Sequence, residues 1–147
     1  MYLLDTNVLS EIARSRPHPD VLARFRAEPD AALFTSAICI EEIYFGIAAG
    51  PDGDMVRQRM ESRALFRVAV LALDEATAKV AGALRGEWKV RGTPVGYRDG
   101  LIAATAQTHG LVLVTRNTRH FDHVTGLRVE NWFEPATPAA PEPPGIR

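Results

Sequence analysis

Short apolar runs recur along this chain, each separated from the next by a stretch punctuated like a helix, and this alternation constrains the fold more than any other feature. The runs are "YLL" at 2–4, "AALFTS" at 31–36, "RVAVLAL" at 67–73, "LVLVTRN" at 111–117 and "GLRVENW" at 126–132. Between them lie "NVLSEIA", "VLARFRAE", "AICIEEIYFGIAAG", "DGDMVRQRMESRALF", "EATAKVAGALRGEWKVR" and "YRDGLIAATAQTH". Strands joined through helices imply right-handed crossovers, so an α/β fold with a mainly parallel sheet flanked by helices is expected. The start and stop residues agree. Asp5 or Thr6 caps the first helix, Asp20 the second, Ser36 the third and Asp74 the fifth, while Gly50-Pro51, Gly92 and Gly110 end their helices.

With 147 residues, 46% of them hydrophobic, the chain is one ordinary domain able to bury a core. The expected domain spans residues 1–134. Beyond it, "PATPAAPEPPGIR" at 135–147 has frequent proline and no apolar period, which reads as a flexible tail. The formal net charge of −1 excludes a global basic field, so any nucleic-acid contact is local. The single cysteine, Cys39, has no internal disulfide partner and reads as a buried side chain in a reducing compartment. No segment approaches the roughly 20 apolar residues of a membrane span, and no signal peptide precedes the first strand. A soluble, cytoplasmic protein is expected.

Asp5 follows "YLL" at the carboxyl end of a strand buried on both sides, the edge where open parallel sheets collect ligands. The same residue is equally a plain helix start. Asp99 stands in the first turn of "YRDGLIAATAQTH", where a carboxylate suits the helix dipole with or without a functional role. In "AICIEEIYFGIAAG", a helix apolar nearly all round and therefore expected to be buried between the sheet and either the neighbouring helices or a second subunit, Glu42 shares an arc with Ile38, Phe45, Gly46 and Ala49. A carboxylate buried there needs a cation, several donors or a paired arginine, which makes Glu42 a better candidate than Glu41. Asn117 marks the corresponding end of the strand "LVLVTRN".

Three carboxylates from distant segments converging at one sheet edge would repel one another unless a divalent cation sits among them. The candidate ligands are oxygen donors, with no Cys or His at metal spacing, which suits Mg²⁺ or Mn²⁺ better than structural zinc. Such an ion serves phosphoryl chemistry by lowering the pKa of water for in-line attack on phosphorus.

The segments "YLLDTNVLSE", "SAICIEEIYFG", "RDGLIAATAQTHGLVLVTRNTRHF" and "LRVENWF", collinear over residues 1–134, resemble the PIN-domain ribonucleases, and especially the VapC toxins of bacterial toxin–antitoxin pairs. The resemblance implies a PIN-like three-layer fold and a Mg²⁺-dependent endoribonuclease, with Mn²⁺ as a substitute. Such an enzyme is the toxin of a type II pair and hydrolyses phosphodiester bonds of tRNA, rRNA or mRNA. By the same resemblance Asp5, Asp99 and Glu42 are the metal ligands, and Asn117 completes the catalytic set at a position often acidic in the family. Asparagine there offers a neutral oxygen and adds no charge. The implied partners are a VapB-type antitoxin and a second copy of the chain, as a homodimer.

Thr6 and Thr115, beside the acidic positions, can orient carboxylates or water, or serve as simple caps and strand ends. Arg98, Arg116, Arg119 and His120 can hold RNA phosphates or pair with carboxylates. A signalling receiver domain would need adjacent acids after the first strand, and an aspartyl phosphatase a second aspartate where Asn7 stands. The rival reading is a PIN-like module with a weak acidic site that acts with its antitoxin on operator DNA.

Overall fold

The computed structural model describes residues 1–93 and 95–135. The tail expected at 135–147 lies outside this range apart from Pro135. The chain runs β1 (Tyr2–Leu4), α1 (Thr6–Ile12), α2 (Pro19–Ala27), β2 (Leu33–Ser36), α3 (Ala37–Ala49), α4 (Gly53–Arg63), β3 (Ala69–Leu71), α5 (Glu75–Arg91), α6 (Tyr97–Thr108), β4 (Val112–Val114) and β5 (Val129–Glu130). Every strand pairing is parallel, in the order β3-β2-β1-β4-β5. The order matters for the site. Strands β1, β2 and β3 step outward in one direction, and the chain then crosses back to place β4 on the other side of β1. The β1/β4 boundary is therefore the point where strand order reverses, and a crevice forms there at the carboxyl ends of the strands.

The two faces of β1 seed separate cores, as alternation along a strand requires. Leu4 packs with Val8, Leu9, Ile12, Val21, Phe25, Met60 and Trp132 from the side of α1, α2 and α4. Leu3 packs with Ala81, Leu84, Trp88, Ile102, Ala103 and Phe121 from the side of α5 and α6. Helices, sheet and helices make the expected three layers. Small residues in α6 let it lie close to α5: a Cβ on Gly100 would meet Arg85 Cγ at 3.1 Å and the Trp88 ring at 3.3 Å. Among the described residues no helix is long and apolar enough to cross a membrane.

Most caps follow the sequence reading. Asp5 accepts from the Thr6 N–H, Ser36 from the Cys39 N–H and Asp74 from the Thr77 N–H, and Gly92 takes a left-handed conformation at φ 71°. Asp20 does not cap α2. That helix begins at Pro19, whose missing N–H suits the first position, with His18 as N-cap and Asp20 inside the first turn.

Of the two expected covers for helix α3, the chain itself supplies only one side. Cys39, Ile43 and Ile47 are buried, but the opposite side stays open, with Phe45 65% exposed and Tyr44 in contact with solvent. The arc that Glu42 shares with Phe45, Gly46 and Ala49 faces outward rather than into the core. A single copy of the chain covers only one side of this helix.

A candidate metal centre at the carboxyl edge of the sheet

Strand β1 ends as its last backbone link to β4 closes, with the Asp5 N–H donating to the Val114 carbonyl at 3.0 Å. This holds the Asp5 side chain at the β1/β4 crevice, nearly buried. Both carboxylate oxygens are furnished with donors. Oδ1 accepts from the Thr6 N–H at 2.7 Å and from the Cys39 thiol at 3.8 Å; Oδ2 accepts from the Thr115 hydroxyl at 2.7 Å and from Asn7 Nδ2 at 2.9 Å.

Thr115, fully buried at the end of β4, is the node of this network. Its hydroxyl donates to Asp5 while accepting from Asn7 Nδ2 and from the Asn117 N–H, both at 3.1 Å, which uses the full capacity of a hydroxyl. Asn7 closes the loop by accepting from the Arg116 N–H at 3.0 Å. Asn117 thus joins through its backbone, and its exposed side chain makes no hydrogen bond to the carboxylates among the described residues.

Glu42 approaches from α3. Its Oε2 accepts from the Thr6 hydroxyl at 2.6 Å and its Oε1 from Arg98 at 3.1 Å, and it remains only one-quarter exposed. Arg98 reaches Glu41 at 3.0 Å with its other nitrogen, so this guanidinium is engaged by two carboxylates. Asp99 comes from the first turn of α6, 28% exposed, with its Oδ2 3.0 Å from His120 Nδ1. Arg116 lies over the Phe133 ring at 4.8 Å, and Arg119 is exposed without a carboxylate partner among the described residues.

The electrostatics define what the cluster lacks. Burial pushes the Asp5 carboxyl above its ordinary value; the Thr115 and Thr6 donors pull it back, and the charges of Glu42 and Asp99 push it up again. No lysine or arginine pairs with Asp5 among the described residues to offset these charges. Ligand atoms of Asp5, Glu42 and Cys39 lie within 4.8 Å of one another, close enough to surround one cation. The fold carries the Cys39 thiol against Asp5 and places His120 beside Asp99, juxtapositions that sequence spacing does not display. Burial and the Asp5 charge hold the Cys39 thiol above its usual value, which keeps it protonated and a poor metal ligand beside the carboxylate oxygens. The set fits a hard divalent cation.

Of the residues anticipated from sequence, Asp5, Thr6, Glu42 and Thr115 form one continuous network, Arg98 joins it through Glu42, and Asp99 acts on it through charge. Asn7 was missed as a site residue. Its only sequence signal was its position two residues after Asp5 in "LDTN", on the helix turn that faces the end of β4.

Comparison with known proteins gives a consistent result. The PIN-domain family model matches residues 2–127. A VapC ribonuclease of Sinorhizobium fredii is 38% identical over 141 residues, covering 92% of this chain and all of that protein. Toxin FitB of Neisseria gonorrhoeae is 35% identical over 126 residues, covering 82% and 91%. A solved structure of DNA-bound VapBC from Salmonella typhimurium superposes with a TM-score of 0.82 at 31% identity, covering 89% of this chain and 97% of that one. With the three-layer sheet and the acidic crevice at its switch point, these likenesses establish that the chain belongs to the PIN-domain family, among its VapC-type members.

Proposed function

We propose that this protein is a divalent-metal-dependent endoribonuclease, the toxin of a type II toxin–antitoxin pair, cutting RNA at the crevice between β1 and β4. The observation that carries the reading is the buried Asp5 carboxylate, close to Glu42 and pushed up by burial and by the Glu42 and Asp99 charges, with no lysine or arginine paired to it among the described residues. Asp5, Glu42 and Asp99 are the proposed ligands, and Mg²⁺ or Mn²⁺ the proposed ion. When bound, such an ion lowers the pKa of water and offsets charge on the phosphate oxygens. The chain supplies the geometry. Thr115, Asn7 and the Thr6 N–H fix the Asp5 oxygens in place, and the Thr6 hydroxyl fixes Glu42. Asn117 and Arg119 are exposed on the segment that follows Thr115, and they are the proposed contacts for an RNA phosphate. Arg98 is divided between Glu41 and Glu42, so its contact with a phosphate would require leaving them.

The nuclease unit is residues 1–134, and the RNA it meets is in the cytoplasm. A VapB-type antitoxin is the proposed partner, supported by the VapBC complex and a FitAB complex, both described bound to DNA, and a homodimer of this chain is the proposed state. Those DNA-bound complexes favour a second role, operator binding jointly with the antitoxin. The open side of α3 is a surface that such partners could cover.

The test is cleavage of labelled tRNAs and ribosomal RNA fragments by purified, partner-free protein with Mg²⁺ or Mn²⁺, beside Asp99→Asn and an EDTA control. Discrete cuts lost in both controls support the nuclease. Identical behaviour of folded wild type and Asp99→Asn across the panel leaves the DNA-binding role in its place.

A further inference from the structure

Tyr97 opens α6, one residue before Arg98 and two before Asp99, yet it belongs to neither core and is 60% exposed. Its ring is organised. The Arg85 guanidinium, from α5, lies 4.5 Å from the ring centroid, and the Arg85 stem is held in turn against the bare backbone of Gly100, one turn further along α6. An exposed tyrosine with one face covered by a cation, and most of its surface still open, is a rigid planar shelf.

Three further observations say what the shelf suits. Asp99 folds back toward the same end of α6, since a Cβ on Gly96 would lie 3.3 Å from Asp99 Oδ2. The shelf and the acidic crevice therefore share the first turn of one helix. Next, a pocket of about 480 Å³ opens beside it, floored by Trp88 and Val95 and rimmed by Arg85, Lys89, Gly92 and Thr93. Neither Arg85 nor Lys89 has a carboxylate partner among the described residues, in contrast to Arg91, which pairs with Glu87, and Lys79, which pairs with Glu75. In a chain of net charge −1, two exposed, unpaired cations beside an aromatic face make a local complement for a polyanion that carries flat rings.

We propose that Tyr97, backed by Arg85, stacks a nucleobase of single-stranded RNA next to the phosphate being cut, with Arg85 and Lys89 holding the strand that leads away over α5. The proposal rests on the nuclease reading and deepens it. It makes Tyr97 a substrate-positioning residue, and it makes cleavage depend on an unpaired base at one fixed offset from the scissile bond. Stacking tolerates any base, because each has a π face, so the shelf selects for single-strandedness more than for sequence.

The test uses the full, partner-free chain and a labelled, unstructured oligoribonucleotide, prepared also as a series with one abasic ribose at each successive position. Binding is read by fluorescence anisotropy in EDTA for wild type, Tyr97→Ala, Tyr97→Phe and a double Arg85→Gln/Lys89→Gln variant, and cutting of the same strand is then read with Mg²⁺. Tyr97→Ala should weaken binding of the intact strand by about 5- to 150-fold, with Tyr97→Phe close to wild type. One abasic position should weaken wild type by a similar factor and leave Tyr97→Ala unaffected. The double cation variant should bind more weakly at every position, with a shallower salt dependence. If the abasic series affects wild type and Tyr97→Ala alike, the shelf is refuted, while the nuclease reading stands on the cuts. If positional coupling is present but no cutting occurs, the shelf stands and the nuclease reading fails. Should Tyr97→Ala alter the oligomeric state and leave strand binding unchanged, the surface is a protein contact and the proposal is overturned.

Discussion

Thr115→Val removes one hydroxyl from the centre of the site and replaces it with a methyl of nearly the same shape. The lost group is fully buried, and it donates to the ionised Asp5 at 2.7 Å while accepting from Asn7 and Asn117. A hydrogen bond to a charged group contributes about 1.5–3 kcal/mol, and a buried methyl returns at most about 0.8 kcal/mol. Asn7 keeps Asp5 as an acceptor, and the backbone N–H of exposed Asn117 can turn to water, so those two losses add little. The expected destabilisation at neutral pH is about 1–3 kcal/mol. In a domain of this size that lowers Tm by about 2–4 °C for each kcal/mol.

The charge of Asp5 gives the effect a pH signature. Thr115 is among the groups that pull the Asp5 carboxyl down, so its removal lets that carboxyl rise further. At acid pH, with Asp5 protonated, only a neutral hydrogen bond is lost, and the cost should shrink to about 1 kcal/mol or less. Urea unfolding of wild type, Thr115→Val and Thr115→Ser at neutral and acid pH measures this, with Ser keeping the hydroxyl. A cost below about 0.5 kcal/mol at neutral pH, or one that does not change with pH, would refute the network as drawn.

Other expectations are simpler. Because the folded pKa of Asp5 is raised, the folded state holds its proton where the unfolded chain has lost it. The resulting stability is fully present below about pH 3.9 and is lost as pH rises through the elevated folded value. A divalent cation binds the ionised form, so the rise in Tm with Mg²⁺ should be small near that pH and grow toward neutrality, and equal Mg²⁺ shifts at both ends would contradict the assignment. Gly53→Ala should destabilise by about 1–3 kcal/mol in urea melts, because its Cβ would lie 2.6 Å from the Ile47 carbonyl at the α3–α4 corner. Gly46→Ala, mid-helix with nothing within 4 Å, should instead stabilise by about 0.5–1 kcal/mol, and a loss there would show that this side of α3 is not open.

What could be read from sequence was whatever depends on local pattern. The strand ending on Asp5, the helix turn carrying Asp99, and the caps at Ser36 and Asp74 are set by a few adjacent residues, and the structure has them. Asp20 misled because its capping chemistry is outcompeted by Pro19, which already satisfies the first helical position. The network around Asp5 was legible in Thr6 and Thr115, which stand beside acidic positions, but not in Asn7 or Cys39. Cys39 lies 34 residues away, and only the pairing of β2 with β1 brings it to Asp5. Glu42 stands out in sequence as a carboxylate on an apolar helix that needs a cation, donors or an arginine, and the structure supplies the Thr6 hydroxyl and Arg98 on an arc that faces out. Periodicity locates an apolar stripe; it does not say how much of a stripe as broad as that of α3 the rest of the chain will cover.

The central claim is that Asp5 anchors a divalent ion between α3 and α6. Isothermal titration of Mn²⁺ into the partner-free protein tests it most directly, with Asp5→Asn, Glu42→Gln and Glu41→Gln measured alongside and each variant shown to be folded. Binding should disappear in Asp5→Asn, weaken in Glu42→Gln and persist in Glu41→Gln, whose carboxylate pairs with Arg98 alone among the described residues. Wild-type affinity retained in folded Asp5→Asn would contradict the account.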